Sequence, residues 1–182
     1  MKKLIDLSHT IEDGLVTYKG LPAPIICDFL SREASKKIYQ EGTTFQIGMI
    51  EMCSNTGTYL DTPFHRYEDG DDLSDLSLES LASLEAIKIS IPASVTAIGR
   101  EYFSESDVSN KAVLVETNWC RHWNTEHYYE GHPYLTEDSA QFLKDNGAVL
   151  VGIDSYNIDD VSGKVRPVHS LLLGSDILIV EH

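Results

Sequence analysis

Asn55-Thr-Gly-Thr-Tyr-Leu-Asp-Thr-Pro-Phe-His65 follows directly on the apolar run Phe45–Met52, and its reading decides how the rest of the chain is understood. It gathers Asn55, Tyr59, Asp61 and His65 around Gly57 and Pro63. A strand that runs into a glycine-hinged turn is a common way to hang reactive groups on a rigid edge. If the segment stays extended, positions 55, 57, 59 and 61 share a face with 65, because i and i+2 point the same way. Gly57 would then let a backbone or ligand approach closely. The same residues also fit an ordinary turn with a solvated Asp and a surface His.

Outward from this stretch, helices and strands alternate. Leu4–Leu7 reads as a short strand ended by Ser8-His9-Thr10, and residues 14–26, with Pro22 and Pro24, read as a loop. Phe45–Met52 is a strand, and Glu68-Asp-Gly-Asp-Asp72 an exposed acidic turn. Apolar residues at 76, 78, 81 and 84 have near-helical spacing and predict a short helix over Leu76–Leu84. Ile87–Ile91 and Ala112–Glu116 read as buried strands. Glu137–Asn146 predicts a helix, with Thr136 as N-cap and Gly147 able to take the left-handed position past its end. Ala148–Ile153 and Ile177–Val180 complete the strands. Apolar runs without polar alternation imply strands covered on both faces, hence a mixed α/β layer architecture in one domain over 1–182.

Composition bounds the function. At 182 residues the chain can bury a core unaided, and 42% hydrophobic with 24% charged residues is ordinary for a globular protein. A net charge of −15 argues against nucleic acid and anionic membranes as partners but does not identify a substrate. Cys27, Cys53 and Cys120 are scattered and odd in number, which favours a reducing compartment. The start Met1-Lys-Lys-Leu-Ile-Asp turns polar too soon for a secretory leader, and the reading is a cytoplasmic protein. No Gly-x-Gly-x-x-Gly, phosphate-binding loop, Gly-x-Ser-x-Gly elbow or His-Glu-x-x-His occurs.

A second constellation lies near the C-terminus. Gly152-Ile-Asp154-Ser-Tyr-Asn-Ile-Asp159 carries carboxylates out of a buried strand, His169 precedes Leu171–Leu173, and Glu181 ends the last apolar run. Active sites collect at strand ends in α/β folds. Imidazole with carboxylate is also a ligand set for zinc or manganese. An interior His and a Glu that simply closes a strand would look the same. Trp119, His122, Trp123, His127, Tyr128, Tyr129, His132 and Tyr134 form an aromatic and histidine cluster after Ala112–Glu116. It either roofs a pocket, with Trp119 and Trp123 the candidate substrate contacts, or packs a long connection. Arg166 has two readings as well: a substrate carboxylate, or Asp159 or Asp160 on its own loop.

Taken together, these residues resemble the putative cyclase family, which includes bacterial kynurenine formamidase and isatin hydrolase. The resemblance runs from Asp6-Leu-Ser-His-Thr-Ile11 and Thr17-Tyr-Lys-Gly20 through Gly57-Thr58 and Asp61-Thr-Pro-Phe-His65 to Gly152-Ile-Asp154-Ser155, His169 and Glu181. It implies a swivelling β/β/α fold with a mixed sheet or half-barrel and flanking helices. It also implies Asp61, His169 and Glu181 as metal ligands, His65 as general acid/base, and Tyr18 as a substrate-lining aromatic. Where the family pattern has two further histidines, this chain has Asn55 and Tyr59. Neither holds zinc well, since a phenol ligates only after losing a proton near pH ~10. They are read instead as hydrogen-bond donors to a developing oxyanion.

The expectation is therefore a hydrolase of an amide, formamide or cyclic amide in a small-molecule substrate, like the arylformamidases of tryptophan catabolism, using one divalent zinc or manganese ion. The alternative is a metal-free, non-enzymatic relative that keeps the pocket as a small-ligand binding module. The resemblance also implies a homodimer or homotetramer, and a C-terminus shorter than is usual in the family.

Overall fold

The computed structural model describes residues 3–182. By contacts the described residues group into two compact units, the first ending at Gly57 and the second Thr58–His182. In the first, strand β1 (Ile25–Leu30) pairs antiparallel with β2 (Ile47–Glu51), with a register shift between Asp28 and Leu30. A single helical turn, α1 (Arg32–Ser35), lies between them, and Ser31 Oγ accepts the Ala34 amide at its start. Ser35 is buried and accepts the Phe45 amide at 3.0 Å, which anchors the approach to β2. Gly57 has φ +70°, and a Cβ there would stand 2.7 Å from Ile11 Cγ1, so glycine is required by conformation and by space.

Two expectations fail in this unit. Leu4–Leu7 is irregular and exposed, because an apolar run forms a strand only where another backbone offers it a ladder. The loop expected over 14–26 ends at Pro24, and β1 begins with Ile25 and Ile26.

The second unit is built on a five-stranded sheet. Strands β3 (Tyr59–Asp61), β4 (Ala86–Ser90), β6 (Ala112–Glu116), β8 (Leu150–Ile153) and β9 (Leu178–Glu181) lie in the order β3-β9-β8-β6-β4. All neighbours are parallel except the edge strand β3, which is antiparallel to β9. A small parallel pair, β5 (Ala97–Ile98) with β7 (Tyr134–Leu135), stands apart. Alternate residues supply the two faces. Val113, Val115, Val151, Ile153 and Ile179 pack one side with Leu143 of helix α2 (Glu137–Asp145) and Leu172 of helix α3 (Pro167–Leu173). Ala112, Leu150 and Leu178 form the other with Leu60, Leu76, Leu81 and Leu84. Parallel strands covered on both faces are what unbroken apolar runs require.

The leucines at 76, 81 and 84 do cover that face, but not as the expected helix. Only a 3-10 turn, Leu78–Ser80, forms there, with Leu78 exposed. Ser80 Oγ donates to the Ser77 carbonyl, and Ser83 sits at φ 59°, which ends any helical run. Helix α2 closes one residue earlier than expected, followed by Gly147 at φ +78°. The sequence reading missed α3 altogether.

Leu143 is fully buried between α2 and the sheet. Leu143→Ala is expected to lower unfolding stability by about 2–5 kcal/mol in urea titration, through lost burial and a residual cavity. A change below about 1 kcal/mol would show that this face is not the core.

Candidate functional site

The last residue of β9, Glu181, fixes the site. It lies at the C-terminal end of the parallel strands, level with Ile153 of β8 and opposite Tyr59 of β3. Its side chain is fully buried, and both carboxylate oxygens accept hydrogen bonds: Oε1 from the Ile158 amide at 2.6 Å, Oε2 from the Tyr59 hydroxyl at 2.5 Å. Asn157 Nδ2 adds a longer contact to Oε2 at 3.4 Å. These donors offset much of the cost of burying a carboxylate.

Asp61 stands two residues after Tyr59 on the same face of β3, buried like Glu181. The chain then leaves the strand through the 3-10 turn Pro63–His65, so His65 arrives by turning back toward Asp61 rather than by the extended path the alternation suggested. His65 Nδ1 lies 3.4 Å from Asp61 Oδ1, and its side chain keeps 43% exposure, enough to meet solvent or substrate. The acidic turn 68–72 holds this bend in place. Phe64 N donates to the Asp71 carbonyl, and a Cβ on Gly70 would collide with Pro63 at 2.6 Å. Arg66 Nε bonds Ser170 Oγ at 3.2 Å and the Tyr67 hydroxyl bonds the Ser170 carbonyl at 2.8 Å, tying the turn to α3.

Helix α3 presents His169 within its first turn. Nε2 of the buried imidazole faces Asp61 Oδ2 and Glu181 Oε1, each at 3.7 Å. Nδ1 faces the other way, 2.6 Å from Asp159 Oδ2. Burial opposes the imidazolium, but the carboxylates of Asp159, Asp61 and Glu181 outweigh it and push His169 up to about 10. Burial pushes the Glu181 carboxyl up, opposed by His169, Tyr59 and the Ile158 amide.

A metal ion fits this donor set. One donor atom each from Asp61, His65 and His169 lies within 4.8 Å of the others. Ligands about 2.1 Å from a tetrahedral ion stand roughly 3.4 Å apart, close to the separations around His169 and Asp61. With Nδ1 turned to Asp159, Nε2 is the nitrogen left to ligate.

The remaining sequence candidates fall in different places. Asn55 and Tyr18 lie in the first unit, both half-buried. Asn55 Oδ1 accepts the Ser54 hydroxyl, and the Tyr18 carbonyl accepts the Leu21 amide. Trp119 donates Nε1 to the Tyr128 carbonyl and packs on His122 and His127 inside its own loop. Trp123 packs edge-on against His182, whose ring lies 5.4 Å from that of Tyr59, so an aromatic path joins Trp123 to the site. Arg166 turns inward: Nη1 donates to the carbonyls of Asp160, Gly163 and Val165. Asp154 accepts the Thr117 amide and hydroxyl, linking the ends of β6 and β8. The sequence reading did not see Asp159 as the partner of His169. A carboxylate leaving a buried strand ten residues before a histidine was the available signal.

A family model described as Putative cyclase matches residues 5–160. The chain belongs to the putative cyclase family. It is 27% identical over 179 residues to a kynurenine formamidase of Bacillus cereus, covering 98% of this chain and 80% of that protein. It is 26% identical to a kynurenine formamidase of Bacillus anthracis, over 99% of this chain and 81% of that one. Among solved structures, isatin hydrolase A from Labrenzia aggregata bound to benzyl benzoate superposes with a TM-score of 0.80 at 16% identity, covering 97% and 78% of the two chains. A potential metal-dependent hydrolase with cyclase activity gives 0.76 at 22% identity, over 98% and 80%. The mixed α/β fold expected from the sequence is thus the fold of these cyclase-like structures. No helix among the described residues is long and apolar enough to cross a membrane.

His169 supplies a pH prediction for metal-free protein. Its folded pKa of about 10 exceeds the ordinary 6.5, so its stabilising effect is complete below pH 6.5 and lost as pH rises toward 10. In chelator-treated samples, the gap in melting temperature between wild type and His169→Gln should narrow from pH 6.5 to 10. A gap constant across that range would contradict the burial of His169 among carboxylates.

Proposed function

We propose that this chain is a metal-dependent hydrolase of a carbon–nitrogen bond in a small amide, formamide or cyclic amide. The observation that supports it most is the convergence of Asp61, His65 and His169, from three separate elements, beside the buried Glu181. The metal-dependent hydrolase and kynurenine formamidase names of its relatives point the same way.

The buried residues divide the work by geometry. Asp61 Oδ2 and Glu181 Oε1 each face His169 Nε2, and these three residues would hold the ion, while Asp61 Oδ1 faces His65. A divalent ion bound there supplies Lewis acidity and lowers the pKa of a bound water toward ~7. His65 is exposed, and its imidazole can both accept and donate a proton, which suits it to carry one to the departing nitrogen. Asp61 orients His65 through Nδ1, so Nε2 is the atom presented to substrate. The Tyr59 hydroxyl donates to Glu181 and holds that carboxylate in one orientation. Trp123, joined to Tyr59 through His182, would be the aromatic that meets a flat substrate.

The test is hydrolysis of a panel of formanilides and lactams by wild type, by His65→Ala and by chelator-treated wild type. Proton transfer contributes about 10²–10⁴-fold, so His65→Ala is expected to lose activity in that range, and chelation should abolish it reversibly. Equal background rates in all three samples would leave a small-ligand binding module as the better reading.

A further inference from the structure

We infer that Asp159 is a positioning residue, and that its carboxylate dictates which nitrogen of His169 faces Asp61 and Glu181. The inference rests on the metal-dependent reading above. Asp159 is almost wholly buried, and its oxygens meet three hydrogen-bond donors on α3. Oδ1 accepts the Val168 amide at 2.9 Å, and Oδ2 accepts the His169 amide at 3.0 Å and His169 Nδ1 at 2.6 Å. The two amides belong to the first turn of α3, where no earlier carbonyl is available, and Pro167 before them has no N–H to satisfy.

One side chain therefore sets both the start of the helix and the rotation of the ring it carries. Asp159 is itself fixed, its amide donating to Asn157 Oδ1 at 3.0 Å. The same short segment supplies the Ile158 amide to Glu181 Oε1. Residues 157–159 thus hold an imidazole and a carboxylate that come from different elements, and hold them facing each other.

Only a group that accepts on both oxygens satisfies this arrangement. An asparagine with its oxygen in the Oδ1 place keeps the Val168 amide but sets its N–H₂ against both the His169 amide and Nδ1. His169 would then accept at Nδ1 and carry its proton on Nε2, the atom that must be bare to ligate. The reversed amide keeps the His169 amide and Nδ1 on its oxygen but sets its N–H₂ against the Val168 amide. Asp159→Asn is close in size, yet in either orientation a donor faces a donor and the hold on the ring is weakened.

The test is zinc affinity of wild type and Asp159→Asn, measured by competition with a chromophoric chelator, with melting temperatures of both metal-free proteins as a check on folding. Loss of such a partner typically costs 10–100-fold in metal affinity, and that weakening is expected here. The second measurement needs no variant: in ¹⁵N-histidine-labelled wild type loaded with zinc, His169 should show a protonated Nδ1 and a metal-bound Nε2. Wild-type affinity in Asp159→Asn, or a ring bound through Nδ1, would overturn the inference while leaving the metal reading intact. Failure of wild type to bind zinc or manganese would remove both together.

Discussion

Three buried carboxylates surround one imidazole, and that charge imbalance constrains everything around it. Asp61, Asp159 and Glu181 are each almost fully excluded from solvent, and His169 is the cationic group they share. Burying an ionised carboxylate is costly unless hydrogen bonds or an opposite charge offset it. Asp159 and Glu181 have their amide and hydroxyl donors. Even a protonated His169 leaves an excess of negative charge, and an arrangement of that kind attracts a divalent cation. It also explains why His169 holds its proton so firmly when no ion competes for it.

The fold delivers these groups through the ordinary mechanics of a parallel sheet. Strands β8 and β9 run side by side, so their C-terminal ends open together and place residues 154–159 beside Glu181. The antiparallel edge strand β3 adds Tyr59 and Asp61 from one face, an alternation that costs no special geometry. Helix α3 then closes the group from the side, tethered at its start by Asp159 and near its middle by Arg66 and Tyr67. Asp61, His169 and Glu181 are thus each held by a packed element, while His65 sits on a turn and is open to solvent.

Much of this was legible in the sequence. Unbroken apolar runs placed β6 to the residue and β4, β8 and β9 within one or two, because parallel strands covered on both faces leave little choice of composition. Thr136 and Gly147 bracketed α2 for equally local reasons. The stretch 55–65 gave up Asp61 and His65, although the turn that joins them is set by Gly70 and Asp71, residues that read as mere solvated acid. Leu76–Leu84 misled because its spacing reports which leucines are buried, not the backbone between them. Asp159 was hidden for a different reason. Its role depends on a helix that begins eight residues on, which Arg166-Pro167 does not announce, and on a rotation of one ring that no spacing encodes.

A crystal structure of protein soaked with zinc, with anomalous diffraction collected at the zinc edge, tests the central claim most directly. The account predicts one ion bonded to His169 Nε2 and to the carboxylates of Asp61 and Glu181, at about 2.0–2.2 Å, with His65 beside it and Asp159 still on Nδ1. Zinc elsewhere on the molecule, or a carboxyl of Asp61 turned away from His169 and Glu181, would contradict it.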